Sequence, residues 1–503
     1  MKIKSTIIII FLLLSLTMTN LGIVNAGATD LSWIVSVTYQ NVGTSSSEVT
    51  VTFYQEGSAT PITYNATSLA PGAAASFYLG NISNVPAGFN GNAIMAASQP
   101  MVATVVQFHQ NAPGETVRMR MLSNGFSQSD VSNQYLIATV LGTTFSRTTT
   151  FSIQNIESET ITATIKFYNV INGSLAATKI YDIPANSSKY IEMDMPTDTG
   201  LPTAFFNGSA IITAVKKSNG LPANIVAAAS ELYLTKNVGA NFEGVPLSKA
   251  TNKIFLATGL CNTFGLTTYY AIQNASLSNS ATISVNYYNT NGSAKTIDGP
   301  YTIGPGQKVS INTCQPKSGI NMTGFTGSAV VTTSDLTSQI VAIGKAQAMD
   351  NPPADKADVF TIFLGESEGS SKLALPFIRW ANDTHFNAST NYGGYQRAFI
   401  AIQNLETTTS LVNVKYFDKN GGLVATHMLS IPGNSKANSD ASVAGALGKN
   451  GMVAGEFGYY IDGSFGGGVI IEAHPDNPTA KLIAIARVQH PGAGEDYNAV
   501  PIP

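Results

Sequence analysis

The chain has 503 residues and a formal net charge of −3, with 11% of its residues charged. That share is less than half of the roughly 25% usual in soluble domains, and an acidic balance argues against nucleic-acid binding, which needs a basic face. The length allows several domains of about 100–150 residues each.

The first predicted element is an export leader over residues 1–26. Two lysines precede an apolar run at 7–16, and Val-Asn-Ala at 24–26 offers a small-residue cleavage site. The run has about 10 residues, well short of the roughly 20 that span a bilayer, so a cleaved signal peptide is favoured over a transmembrane anchor. We therefore expect an extracellular protein, secreted or held at the cell surface.

After the leader, one pattern of strands and turns occurs four times. An apolar strand ending in Gln-Asn places its glutamine at Gln40, Gln154, Gln273 and Gln403. Each copy continues with an alternating strand, a glycine turn, a strand closed by a proline turn, and a strand that begins with glycine and small residues. Six or seven short strands in about 115 residues are typical of a two-sheet sandwich. A propeller blade or a solenoid coil does not fit, because those units take about 20–50 residues.

The sequence therefore predicts an all-β protein of four tandem immunoglobulin-like β-sandwich domains in an elongated chain. The predicted domains cover 27–128, 129–250, 251–370 and 371–503. The last three copies begin with an extra apolar strand, at 135–141, 254–260 and 373–378. Copy one has no such strand after the cleavage site, so sandwich 1 is expected to lack its first strand.

An incomplete sandwich leaves a sheet edge open, and two interpretations of that edge remain. The edge is either short and solvated, as most edges are, or it accepts a strand from another subunit and gives a homo-oligomer or filament through sheet edges. No free donor tail is visible in the sequence.

Both cysteines, Cys261 and Cys314, lie in copy three. In an exported protein they are expected to form a disulfide; two free thiols or a metal-binding pair are the alternatives. A metal pair is disfavoured because no histidine cluster accompanies the cysteines. The sequence also has no nucleophile elbow, phosphate-binding loop or dinucleotide motif. We therefore expect no catalytic residue, no metal and no cofactor.

Copy four has an enlarged first loop at 381–396, where copies two and three have a short one. Loops on a rigid sandwich are frequent recognition sites, and aromatic residues are enriched in binding interfaces. The residues expected to contact a surface glycan or a protein ligand are Trp380, His385, Phe386, Tyr392, Tyr395 and Arg397. The alternative is a longer loop that packs on its own domain.

Sequons of the type Asn-x-Ser/Thr mark candidate glycosylation sites. They begin at Asn65, Asn81, Asn172, Asn186, Asn207, Asn274, Asn291, Asn321, Asn382 and Asn387. A chain rich in Asn, Ser and Thr also makes such sequons by chance, so their use stays open.

Copy three reads Ile-Gln-Asn at 272–274, Ala-Thr-Ile-Ser-Val-Asn-Tyr-Tyr at 281–288, Ile-Gly-Pro at 303–305 and Gly-Ser-Ala-Val-Val-Thr-Thr at 327–333. With these motifs the chain resembles the tandem immunoglobulin-like repeats of prokaryotic surface and secreted proteins, most of them uncharacterised. The resemblance covers nearly the whole chain after the leader. It implies a fold, a location and a structural, adhesive or envelope role, and it transfers no catalytic residues.

Three functions follow as hypotheses. The first is a structural protein, a filament or envelope-layer subunit, which stiff tandem domains, low charge and the lack of a site motif favour. The second is an adhesin or an array of carbohydrate-binding modules that uses the 381–396 loop. The third is a secreted hydrolase with no recognisable motif, although the protein is expected not to be an enzyme.

Overall fold

A computed structural model of the chain describes residues 8–14, 32–86, 88–110, 119–236, 238–350, 352–353, 358–388, 394–491 and 493–503. This part of the chain is all-β, with its strands in eight antiparallel sheets. The sheets follow the predicted repeats. We call 27–128 together with residues 8–14 repeat 1, and 129–250, 251–370 and 371–503 repeats 2 to 4. Short helices interrupt the strands: α1 (Pro196–Thr199), α2 (Asp383–Ala388) and 3-10 turns at Leu79–Asn81, Gln128–Asp130 and Leu247–Lys249.

The strands of repeat 1 are β1 (Ile8–Leu14), β2 (Ser32–Asn41), β3 (Ser47–Gln55), β4 (Pro61–Leu69), β5 (Ala74–Tyr78), β6 (Gly91–Ala97), β7 (Met101–Gln110) and β8 (Arg120–Asn124). They form two sheets with the orders β1-β6-β3-β4 and β5-β2-β7-β8.

The strands of repeat 2 are β9 (Gln134–Gly142), β10 (Arg147–Asn155), β11 (Ile161–Asn169), β12 (Leu175–Ile183), β13 (Ser188–Glu192), β14 (Phe206–Lys216), β15 (Ile225–Tyr233), β16 (Val238–Glu243) and β17 (Val245–Pro246). Their orders are β12-β11-β14-β9-β17 and β13-β10-β15-β16.

The strands of repeat 3 are β18 (Lys253–Leu260), β19 (Leu266–Asn274), β20 (Ala281–Asn289), β21 (Ala294–Ile303), β22 (Lys308–Asn312), β23 (Thr326–Thr333), β24 (Ile340–Ala348) and β25 (Phe360–Leu364). They form two sheets with the orders β18-β23-β20-β21 and β22-β19-β24-β25.

The strands of repeat 4 are β26 (Lys372–Leu375), β27 (Arg397–Asn404), β28 (Ser410–Asp418), β29 (Leu423–Ile431), β30 (Lys436–Ser439), β31 (Gly467–Ala473), β32 (Leu482–His490), β33 (Ala493–Asn498) and β34 (Val500–Pro501). Their orders are β29-β28-β31-β26-β34 and β30-β27-β32-β33.

The alternating sequence pattern explains how each repeat makes its core. In β11 the side chains of Ile161, Ala163, Ile165 and Phe167 are fully buried, while the residues between them are partly exposed up to Lys166. This alternation places one face of the sheet against the opposite sheet and the other toward solvent. The following turn contains Gly173 with a φ of 67°, a conformation that glycine adopts without steric cost.

The pairing of the first and seventh strands differs from the immunoglobulin arrangement. In constant-type immunoglobulin domains the first strand lies in the sheet of the second, and the seventh in the sheet of the third and sixth. Here the first strand of each repeat pairs with the sixth, and the seventh pairs with the second. The first and seventh strands have therefore exchanged sheets.

Strand β1 occupies the position that was expected to be empty in sandwich 1. It pairs with β6 from Ile8↔Ala97 to Leu14↔Gly91, as β9, β18 and β26 pair with β14, β23 and β31. Within the bounds predicted for sandwich 1, 27–128, no described strand takes this position; the strand comes from the segment predicted as the leader. Residues 8–14 of the predicted leader form this strand, and Ile and Phe are residue types with a high propensity for strands.

The asparagine of the repeated Gln-Asn motif holds the end of each sandwich together. In repeat 2 the Asn155 Nδ2 group donates to the carbonyls of Glu159 at 2.8 Å and Ile183 at 3.0 Å, and its Oδ1 accepts from the Glu157 N–H at 2.8 Å. The same clamp recurs at Asn41, Asn274 and Asn404. Each clamp ties the turn after the second strand to the end of the fourth strand.

Consecutive repeats meet through one recurring contact. At the joint between repeats 1 and 2 the Asn92 side chain donates to the Asn186 carbonyl at 3.0 Å. The Ser209 hydroxyl donates to the Gly306 carbonyl, and the Ser328 hydroxyl to the Asn434 carbonyl, both at 2.6 Å. In each case a side chain at the start of the sixth strand reaches the proline turn of the next repeat.

The eighth strands of the four repeats, β8, β16, β25 and β33, lie together along a common axis and connect repeat 4 back to repeat 1. Arg120 of repeat 1 forms a 2.8 Å ion pair with Glu495 of repeat 4, and the Asn124 Nδ2 group donates to the Asn498 carbonyl at 2.7 Å. The four repeats therefore form a closed ring. The prediction of an elongated chain is wrong, because the sequence gives the period of the repeat and not the angle between successive copies.

Candidate functional site

Repeat 4 departs from the other repeats at two insertions that contact each other. The first is the predicted loop at 381–396, which contains α2. The second lies between β30 and β31 and was not singled out from the sequence. The sequence does indicate this insertion by its length: 34 residues separate Pro432 from Gly466, whereas 22 residues separate the equivalent Pro305 and Gly327 of repeat 3.

A histidine–carboxylate pair joins the two insertions. The His385 Nδ1 atom lies 2.7 Å from the Glu456 Oε1 atom, which also accepts the Asn382 N–H at 3.1 Å. Glu456 is fully buried, and its Oε2 atom has no hydrogen-bond partner within the described part of the chain. The buried carboxylate thus fixes the orientation of the half-exposed His385 ring.

Four rings form a continuous row across both insertions: His385, Tyr395, Tyr459 and Phe465. His385 stacks on Tyr395 with centroids 4.2 Å apart, Tyr395 lies 5.0 Å from Tyr459, and Tyr459 lies 5.9 Å from Phe465. Phe465 is 62% exposed. Burial raises the pKa of Tyr459 to about 12, so its hydroxyl stays neutral at physiological pH, where it accepts the Gln396 N–H at 2.7 Å. We call these four residues the aromatic row.

A second group gathers around Arg397 at the base of the first insertion. Its guanidinium lies 5.0 Å from the Trp380 ring centroid and 4.5 Å from that of Phe386, and it forms a 2.5 Å ion pair with Asp383. The guanidinium therefore fastens α2 to the sandwich by cation–π and ionic contacts.

The structure thus brings five of the six predicted contact residues into two neighbouring groups. His385 and Tyr395 belong to the aromatic row, while Trp380, Phe386 and Arg397 support α2. The sixth residue, Tyr392, lies outside the described residues. Glu456, Tyr459 and Phe465 were not predicted because they belong to the second insertion.

The predicted disulfide between Cys261 and Cys314 is confirmed. It joins the end of β18 to the segment after β22, with the two Cα atoms 5.0 Å apart. The bond closes a loop of 53 residues within repeat 3.

The candidate glycosylation sites differ in exposure. The exposed asparagines are Asn65, Asn81, Asn172, Asn291, Asn321 and Asn387. Asn186, Asn207 and Asn382 are partly buried. Asn274 is fully buried and its Nδ2 group donates to three carbonyls. A glycan on that nitrogen is incompatible with the folded clamp, so the site predicted at Asn274 is wrong for the folded protein.

An acidic cavity of about 130 Å³ lies at one end of the ring axis. The Glu243 carboxylate accepts the Asn124 N–H at 2.5 Å, and Glu366 accepts from the Asn498 Nδ2 group at 2.7 Å. Burial raises the pKa of Glu243 to about 7 and raises that of Glu366 above its usual range. Across the described residues, no three or more His, Cys, Asp or Glu side chains are grouped to hold a metal ion.

The described residues include no helix that is long and apolar enough to cross a membrane.

Comparison with known proteins gives no family. No protein-family model and no curated protein matches the chain. One solved structure that was matched to this chain is the viral chemokine binding protein R17 encoded by rodent gammaherpesvirus Peru. It is 8% identical with a TM-score of 0.12, and the match covers 76% of this chain and 90% of that one. At these values the likeness implies nothing about fold or function.

Proposed function

We propose that the protein is an extracellular binding protein of four β-sandwich domains, in which the closed ring is a rigid scaffold and the aromatic row of repeat 4 is the recognition surface. The ligand class that the row suits best is a cell-surface glycan, because the exposed Phe465 ring and the partly exposed His385 and Tyr395 rings offer flat faces for sugar rings. The export leader predicted from the sequence supports the extracellular location.

The observation that carries the proposal is the contact between the two insertions. Repeats 2 and 3 connect their first and second strands by short turns, whereas repeat 4 places a helix and two aromatic residues there. The buried Glu456 carboxylate costs desolvation energy that a purely structural loop does not require. Its position against His385 holds one end of the aromatic row in a fixed geometry, and preorganised side chains lose less entropy on binding.

The test is a glycan array probed with the intact protein and with an insertion variant. In the variant, residues 382–396 are replaced by the four-residue turn of repeat 3, Asn262–Gly265. We expect the intact protein to bind a defined set of glycans and the variant to lose at least about tenfold in affinity, the usual effect of removing a central aromatic anchor. Phe264→Ala in repeat 3, which removes an exposed ring elsewhere, is the matched control and should bind as the intact protein does. Equal binding by the insertion variant would contradict the proposal.

A second candidate function is a self-assembling surface subunit, and the position of β1 favours it. If residues 1–26 are removed on export, as the leader pattern predicts, the β6 edge of repeat 1 is left without a partner. An unpaired edge beside an open core is a template for a strand from another copy.

The test compares the full chain with residues 27–503 by size-exclusion chromatography. The second candidate predicts that the full chain is monomeric and that the shortened chain forms oligomers. A synthetic peptide of residues 7–15 should occupy the β6 edge and block those oligomers. A shortened chain that stays monomeric without the peptide would eliminate this candidate.

A further inference from the structure

A cleft lies between repeats 2 and 3, and the repeat pattern of the sequence does not predict it. It has a volume of about 330 Å³ and is lined from both repeats by side chains of β9, β10, β19, β22 and β24. Cavities of this size at domain interfaces are frequent sites for small ligands. The cleft is at a different joint from the aromatic row and does not depend on the function proposed for it.

Three cations line the cleft and one carboxylate compensates them. Lys345 and Arg147 both form ion pairs with Glu231, the latter at 3.2 Å. Lys308 is 3% exposed, and its Nζ group donates to the Thr139 hydroxyl at 2.8 Å. It forms no ion pair with a carboxylate of the described residues. Burial lowers the pKa of Lys308 to about 7. When Lys308 is protonated, the cluster carries two positive charges in excess, and a bound anion would stabilise that protonated form.

Unused hydrogen-bonding groups lie beside this charge. The Arg147 guanidinium is held between the rings of Tyr233 and Phe360, at 4.5 and 4.6 Å. Its Nε–H is buried without a partner in the described part of the chain, and so is the Oδ1 acceptor of Asn207, which also lines the cleft. A buried donor and a buried acceptor without partners destabilise the folded protein. A ligand that offers both an anion and a hydroxyl group would satisfy both.

Aromatic side chains border the cleft as well. Phe145 lines it and is 69% exposed, at the tip of a tight turn with a φ of 57°. Tyr269 of repeat 3 also lines the cleft. These rings suit a ligand with a flat apolar face.

We propose that this cleft binds an acidic sugar unit, carboxylated or sulfated, whose acid group lies against Lys308 and Arg147 and whose ring packs on Phe145 and Tyr269. The hydroxyl groups of the sugar donate to Asn207. The bound acid supplies the counter-charge that the cluster of one carboxylate and three cations lacks.

The joint between repeats 3 and 4 provides a natural control. There Lys436 donates to the Thr258 hydroxyl at 3.1 Å, as Lys308 does to Thr139. Arg487, which takes the place of Lys345, forms paired contacts of 2.8 and 2.7 Å with Asp496, and Leu266 takes the place of Arg147. The lysine–threonine contact is kept, but the excess of positive charge is smaller.

The experiment is isothermal titration of the intact protein with glucuronate, galactose 6-sulfate, glucose and inorganic sulfate. Glucuronate or galactose 6-sulfate should bind, and glucose should not. Lys308→Met should weaken binding of the acidic sugar at least about tenfold, the effect expected from losing a charge-assisted hydrogen bond in a desolvated site. Lys436→Met removes the same kind of buried lysine at the other joint and should leave the affinity unchanged. Phe145→Ala should weaken binding of the acidic sugar severalfold.

Several results would overturn the proposal. One is the absence of binding heat with both acidic sugars at millimolar concentration; another is equal affinity in the Lys308→Met and Lys436→Met variants. If inorganic sulfate binds as tightly as the acidic sugars and Phe145→Ala has no effect, the site takes a simple ion and the sugar assignment is wrong. Replacement of residues 382–396 in repeat 4 should not change these titrations, which separates this site from the aromatic row.

Discussion

At the residue scale, the asparagine clamps carry much of the stability of each sandwich. Asn155 is fully buried, and its side chain bonds three carbonyl groups and one N–H group at the end of repeat 2. Asn155→Ala leaves these groups without partners and should lower the free energy of unfolding by about 3 kcal/mol. Urea unfolding of the variant measures the effect. Asn172→Ala, in an exposed turn of the same repeat, should change stability by less than about 0.5 kcal/mol; equal losses in the two variants would show that the clamp contributes little.

A second prediction at this scale concerns pH. Lys436 is 4% exposed, and burial, with Arg487 nearby, lowers its pKa to about 7, against about 10.4 in an unfolded chain. Between these values the unfolded chain binds the proton more strongly, so the free energy of unfolding rises with pH above 7 and this contribution is lost as pH falls through 7. At about 1.4 kcal/mol per pH unit, Lys436 alone adds ~3 kcal/mol between pH 7 and 9.

Lys436→Met should therefore raise stability at pH 7 and reduce the rise between pH 7 and 9, as measured by urea unfolding at each pH. The rise should not vanish, because Lys308 has a pKa lowered to about 7 for the same reason. Lys449→Met, at an exposed position, is the control. An unchanged pH profile in Lys436→Met would mean that Lys436 is charged in the folded protein at pH 9.

At the element scale, the disulfide joins two strand ends of repeat 3 that lie in different sheets. The chain-entropy model gives about 4 kcal/mol for a loop of this length. Replacing Cys261 and Cys314 by serine should lower the stability of repeat 3 by about that amount, as measured by hydrogen exchange of the β18 and β22 amides. The amides of β10 in repeat 2 serve as the internal reference. Equal protection of β18 in both proteins would contradict this prediction.

The elements also show what the sequence can and cannot predict. The strands of each repeat and the turn at Gly173 follow from alternation and turn residues, because these are local properties of the chain. The second insertion of repeat 4 could have been predicted, because the number of residues from Pro432 to Gly466 is larger than the number between the equivalent positions of the other copies. The exchange of the first and seventh strands between the two sheets could not be predicted from the sequence. An apolar pattern determines which face of a strand is buried, but it does not determine which strand lies beside it.

The aromatic row illustrates the same limit within the candidate site. His385 and Tyr395 were predicted because they lie in an enlarged loop. Their partners Glu456 and Tyr459 are more than 60 residues away in the chain. Contacts across such distances arise from the fold of repeat 4 as a whole, and one sequence gives no period or spacing that identifies them.

At the scale of the whole molecule, ring closure depends on contacts between the first and last repeats. Three joints use a side-chain donor at the start of the sixth strand, whereas the closing joint has Gly468 in that place. A Cβ atom at Gly468 would lie 2.7 Å from the Gln40 Oε1 atom, so a side chain there would displace the Gln40 amide group. The Gln40 side chain donates to the Gly72 carbonyl at 3.1 Å, as Gln273 and Gln403 donate to the Gly306 and Asn434 carbonyls at the joints that also have a serine donor.

The closed ring is the basis of both proposed sites, and small-angle X-ray scattering of the purified protein tests it most directly. A compact chain of this length should give a radius of gyration of about 23–26 Å. The ring predicts a value in or slightly above that range, with a scattering profile that does not change with protein concentration. A value of roughly 45 Å, expected for four compact domains of this size placed end to end, would contradict the closed ring.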